Sequence, residues 1–97
     1  MQVRLTSGAR KLLYRRGHSH LVIRLVEMET GDSVGIAREV QVDFAYPEDW
    51  EKYHRLVADG MEVFLDPRLK VADTVKIKKQ GFWKFAGLYA DGVRVPL

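Results

Sequence analysis

The chain has no cysteine and no asparagine, and only three prolines and three glutamines. Without cysteine there is no disulfide, no thiolate zinc site, no cysteine nucleophile and no cysteine-held metal cluster. The shortage of side-chain amides is a composition found in heat-adapted proteins. No apolar run is long enough to span a bilayer. The opening Met1-Gln2-Val3-Arg4 lacks the basic-then-apolar layout of a signal peptide. Together these absences set the expectation of a cytoplasmic protein with no membrane partner. Also missing are a Gly-x-Ser-x-Gly elbow, a Gly-rich phosphate loop and a His-Glu-x-x-His helix, so an enzyme is not expected. What is present is 97 residues with 46% hydrophobic and 30% charged side chains. That balance suits one folded domain over residues 1–97.

The net charge of +3 conceals three blocks. Residues 1–26 carry Arg4, Arg10, Lys11, Arg15, Arg16 and Arg24 and no acid, a charge of +6. Residues 27–66 carry −8, and residues 67–97 carry +5. Such blocks either neutralise one another inside the fold or lay out a bipolar surface, and internal complementarity is the favoured expectation.

Local patterns predict many short strands and one clear helix. Residues 2–5 read as a strand, after which Thr6 or Ser7 caps a helix. Ala9, Leu12 and Leu13 share a helical face, and Arg10, Lys11, Arg15 and Arg16 crowd the remainder. Gly17 supplies the stop. Residues 20–28 are apolar on both faces, as expected for an interior strand. Residues 34–44 alternate as a half-buried strand with one charged intruder, Arg38. Pro47, Glu48 and Asp49 suit a brief helical turn. Asp59-Gly60 joins strands at 55–57 and 61–65 in a hairpin. Asp66-Pro67 predicts a short helical turn over 68–71. Residues 74–79 and 82–86 form a second hairpin across Gln80-Gly81, with Val75 and Ile77 facing inward beside Trp83 and Phe85. Ala58-Asp59-Gly60-Met61-Glu62-Val63 is echoed by Ala90-Asp91-Gly92-Val93-Arg94-Val95, which marks two chain reversals. Short turns between strands predict mostly antiparallel pairing.

Two constellations are candidates for chemistry. His18 and His20 project to one face of an extended segment, and with His54 they offer three imidazoles for zinc or ferrous iron. The simpler reading of solvated loop histidines is preferred. Lys76, Lys78, Lys79 and Lys84 with Phe82 could present charge and a stacking ring to single-stranded nucleic acid. Protection of an exposed strand edge by lysines explains the same residues and is preferred, so nucleic acid is not the expected partner. Glu48, Asp49 and Glu51 suit a helix start better than acid–base catalysis, and Trp50 and Tyr53 suit surface cover.

The order of these pieces resembles a known family. Val3-Arg4-Leu5-Thr6-Ser7-Gly8-Ala9, followed by Leu12-Leu13, is similar to the opening strand and first helix of the HesB/IscA-like domain, the fold of the A-type iron–sulfur carrier and scaffold proteins. Leu21-Val22-Ile23-Arg24-Leu25 resembles the next strand. Asp59-Gly60-Met61-Glu62-Val63-Phe64-Leu65-Asp66 with Leu69 resembles the family's hairpin and the short helix after it. Val75-Lys76-Ile77 and Gly81-Phe82-Trp83-Lys84-Phe85 continue the pattern. Residues 81–93 are similar to the small HesB-like proteins known for a Cys-Cys or Cys-selenocysteine motif. The resemblance implies an α+β fold, a β-rich mixed sandwich with one N-terminal helix and short helical turns. Family carriers bind iron or a cluster through cysteines in mid-chain and, in the A-type group, near the C-terminus. Here the middle reads Thr30-Gly31-Asp32-Ser33-Val34-Gly35, so no family cysteine carries over to any position. Asp32 and Ser33 stand about where the double-cysteine motif would fall, and they are hard oxygen donors unsuited to a cluster. The expectation is a non-enzymatic binding or accessory protein with no cofactor. Its protein partner is unidentified, and its sheet edges are suited to pairing with a second copy.

Overall fold

A computed structural model describes residues 1–29, 35–81 and 86–96. In chain order its elements are β1 (Gln2–Leu5), α1 (Ser7–Arg15), β2 (His20–Glu29), β3 (Ile36–Asp43), a single 3₁₀ turn (Trp50–Lys52), β4 (His54–Ala58), β5 (Met61–Leu65), β6 (Lys70–Gln80) and β7 (Gly87–Arg94).

The ends of α1 follow from its flanking residues. Thr6 has extended backbone, and its hydroxyl accepts from the Ala9 N–H at 3.3 Å, satisfying one of the donors a helix start leaves open. At the other end Gly17 adopts φ +72. The His18 N–H then reaches the Leu13 carbonyl and the Gly17 N–H reaches the Tyr14 carbonyl. These two bonds form a Schellman stop, which needs a residue at ease in the left-handed region.

The strands form a four-stranded sheet in the order β3-β2-β5-β4 and a three-stranded sheet in the order β1-β6-β7. Both are mixed: β1/β6 and β2/β5 run parallel, while β2/β3, β4/β5 and β6/β7 run antiparallel. The molecule is therefore β-rich with one helix. The interior place of β2 explains its apolar residues on both faces. Leu21, Ile23 and Leu25 join Leu5, Ala9, Leu12, Leu13, Val63, Leu65, Val75, Ile77 and Leu88 in the main core. Val22 and Phe64 are register partners, are fully buried, and lie outside that cluster on the opposite face. There the Tyr46 ring meets Phe64 edge-on at 5.0 Å. Arg38, which interrupts the alternation of β3, sits directly opposite Glu27, and the two exposed side chains form an ion pair at 3.5 Å.

Three local expectations are corrected. No helical turn occupies 68–71. The Leu69 N–H closes one turn on the Asp66 carbonyl at 3.1 Å, and the chain is extended from Lys70 onward. Pairing with β7 across the sheet outweighs the local Asp-Pro signal. The return strand of the second hairpin is β7, with Gln80 opposite Gly87, whereas the expected strand at 82–86 falls for residues 82–85 outside the described residues. The two Asp-Gly repeats also diverge. Asp59 and Gly60 have φ 51 and 77 and reverse the chain in a two-residue turn of the kind that matches strand twist. Asp91-Gly92 lies inside β7, where the register moves from Val71↔Val93 to Lys76↔Asp91 and leaves extra residues on β6. Gly92 takes φ +97 at this bulge, and a Cβ there would sit 2.8 Å from the Thr74 carbonyl oxygen.

Candidate functional site

The three histidines do not converge. His20 pairs with Glu62 and His54 pairs with Leu65 on the strand between them. Positions 62 and 65 differ by an odd number, so the two imidazoles leave opposite faces of the sheet. His18 stacks on Phe44 with centroids 4.6 Å apart and planes 3° from parallel. His20 meets Tyr46 edge-on at 5.2 Å. Among the described residues no group of three or more His, Asp or Glu side chains is placed to hold a metal ion. The spacing of His18 and His20 was legible in the sequence. The rings that cover them come from the segment after β3, and no local pattern announced that.

The lysine set divides in the same way. Val75, Ile77 and Lys79 point to one face of β6, and Lys76 and Lys78 to the other. Lys78 forms an ion pair with Asp91 at 3.0 Å, and this contact raises the lysine above its ordinary range. Lys79 lies instead against α1, where a Cβ added to Gly8 would touch its Cβ at 3.5 Å. Phe82 and Lys84 lie outside the described residues.

A polar cluster that sequence reasoning missed centres on Asp66, the one buried charged residue among those described, at 3% exposure. Its Oδ2 accepts from the Leu25 N–H at 3.1 Å and from Arg68 Nη2 at 2.8 Å. Its Oδ1 accepts from the N–H and Nε of Arg68, both at 3.0 Å. Arg68 Nη2 also donates to the Leu25 carbonyl at 3.2 Å. This bidentate fork stitches the turn after β5 onto β2. Burial alone would push the Asp66 carboxyl up, but the hydrogen bonds from Arg68 and Leu25 outweigh it and hold the carboxyl at about 2. Beside it an open cleft of about 380 Å³ is lined by Asp49, Lys52, Tyr53, Asp66, Pro67 and Arg68. Burial raises the Tyr53 hydroxyl above its ordinary range, against the opposing effect of Arg24. Arg24 Nε is buried and lies 3.4 Å from Asp43 Oδ2, yet the alignment leaves it without a hydrogen bond. The visible signal was Asp-Pro-Arg after a strand. The carboxylate's buried partner on β2, 41 residues away, was not visible.

Opposite charge blocks meet in part, through Arg24–Asp43 and Arg68–Asp66. Five ion pairs occur among the described residues: Arg24–Asp43, Arg38–Glu27, Arg55–Glu62, Arg68–Asp66 and Lys78–Asp91. Of the six bases in residues 1–26, only Arg24 takes part.

Asp32 and Ser33, the positions nearest the family's double-cysteine motif, lie outside the described residues. The donor set does not fit an iron–sulfur cluster. The chain offers no thiolate anywhere, and carboxylate and hydroxyl oxygens prefer hard cations.

Comparison with known proteins bears on the family. No curated protein matches the sequence. Among solved structures, the crystal structure of Escherichia coli SufA, described as involved in biosynthesis of iron–sulfur clusters, is similar at a TM-score of 0.47 and 14% identity, over 94% of this chain and 80% of that one. No helix among the described residues is long and apolar enough to cross a membrane. The sequence model of the CC/Se motif containing family matches residues 1–93, almost the whole length described above, and on that match this cysteine-free chain belongs to the CC/Se motif containing family.

Proposed function

We propose that this chain is a non-enzymatic HesB-like binding or accessory protein that has lost the ligands for an iron–sulfur cluster. We read its two sheets as the halves of a HesB-like sandwich forming one domain, working in the cytoplasm with a protein partner. The observation that carries the reading is the combination of family membership with the absence of any cysteine in 97 residues. Thiolate ligation is what soft cluster iron requires. A fold can outlast the chemistry of its relatives, since function resides in site residues rather than in the scaffold. The fork that exposed Arg68 makes with buried Asp66 supports a structural role for the turn after β5, because all of the carboxylate's bonds are internal.

Anaerobic incubation with ferrous iron and sulfide, followed by desalting and a visible spectrum, tests the reading. The expected result is a colourless protein without bound iron. A brown protein with stoichiometric iron and sulfide overturns it.

A further inference from the structure

Five bases of residues 1–26, Arg4, Arg10, Lys11, Arg15 and Arg16, have no ion-pair partner among the described residues, and the fold gathers four of them around α1. At about 100° per residue, Arg10, Tyr14, Lys11 and Arg15 fall within an arc of about 140°, opposite the buried Ala9, Leu12 and Leu13. Tyr14 stands in that arc at 89% exposure. Arg4 and Arg10 line the same open depression of about 600 Å³ between β1 and β4. Asp59 also lines it, with its Oδ2 accepting the Leu5 N–H at 3.0 Å. Lys79 adds a further cation where β6 meets the first turn of α1. None of these bases has an ion-pair partner among the described residues.

We propose that the solvent face of α1 binds single-stranded nucleic acid, with Arg10, Lys11, Arg15 and Lys79 contacting phosphates and Tyr14 stacking on a base. Helix capping alone does not account for this arrangement, because the dipole benefits only from cations in the last turn, and Arg10 and Lys79 lie elsewhere. A protein interface is depleted of charge at its centre, whereas this centre is one aromatic ring flanked by cations. Cations tracking a backbone around an exposed ring is how single strands are held without sequence readout. The proposal does not depend on whether the chain carries iron.

Fluorescence anisotropy of a labelled oligouridine with the intact protein tests it. Affinity should fall with salt at a log–log slope of about −3, as expected for four or so phosphate contacts on a single strand. K11E/R15E should lower affinity at least about 10-fold and flatten the slope by more than about 1. Y14A should lose about 5-fold or more with the slope unchanged. K76E/K78E, on the other face of β6, should change affinity by about 2-fold or less. Lys11, Tyr14, Arg15 and Lys76 are exposed and Lys78 is half-buried, and circular dichroism should show each variant folded. Absence of binding at low salt overturns the proposal. So does full affinity in Y14A, or greater sensitivity to K76E/K78E than to K11E/R15E. Retention of polyglutamate without retention of oligouridine also overturns it, identifying an acidic protein surface as the occupant.

Discussion

Replacing Asp66 with asparagine keeps the side chain's shape and removes its charge. In the native fold that charge receives bonds from Arg68 and from the Leu25 N–H, and the carboxyl is held at about 2 against an ordinary 3.8. At about 1.4 kcal/mol per pH unit, the ionised form stabilises the fold by about 2 kcal/mol. Asp66 itself is buried, but the Arg68 side chain is 58% exposed, so solvent screening keeps the contribution to no more than about 2 kcal/mol. The folded value lies below the unfolded one. The stabilisation is therefore complete above about pH 4 and disappears as pH falls through about 2. Arg68 keeps its proton throughout that range, since its contact with Asp66 raises it further. Urea unfolding of the native protein and of Asp66→Asn should differ by about 2 kcal/mol near neutral pH, and the two curves should draw together toward about pH 2. A gap of the same size at both ends of the range would show that shape and packing, not charge, account for the effect. No gap near neutral pH would show that the fork contributes nothing.

Two further substitutions test the packing. Gly92→Ala should destabilise more than Gly60→Ala. Both have positive φ, but only Gly92 would also place a Cβ 2.8 Å from a backbone oxygen. Thermal unfolding should show about 1 kcal/mol of strain for Gly60→Ala and at least twice that for Gly92→Ala. Phe64→Ala should cost about 3–5 kcal/mol in urea unfolding, because Phe64 is fully buried beneath Tyr46. A loss below about 1 kcal/mol would mean that the segment after β3 does not cover that face.

Much of the local structure was legible because it depends on spacings of a few residues. Thr6, the triad Ala9, Leu12 and Leu13, and Gly17 specify α1 from start to stop. Asp59-Gly60 specifies its hairpin, and the apolar residues on both faces of β2 specify an interior strand. The same dipeptide at Asp91-Gly92 misled, since whether an Asp-Gly pair turns the chain or bulges a strand depends on what lies across the sheet. Asp66 was readable as a cap but not as a buried anchor, because its partners on β2 are far away in sequence.

The chemistry that the chain lacks was settled by composition, since no folding can supply a thiolate that is not encoded. Where its charged and imidazole groups meet was decided by strand register. Register is set by long-range burial rather than by neighbours along the chain. It places His20 and His54 on opposite faces and separates Lys76 and Lys78 from Lys79. The crossing of β6 past α1 then brings Lys79 against Gly8, in the basic stretch at the other end of the sequence. No window of ten residues contains that juxtaposition, because it exists only once the apolar faces of both sheets and of α1 have closed on one another.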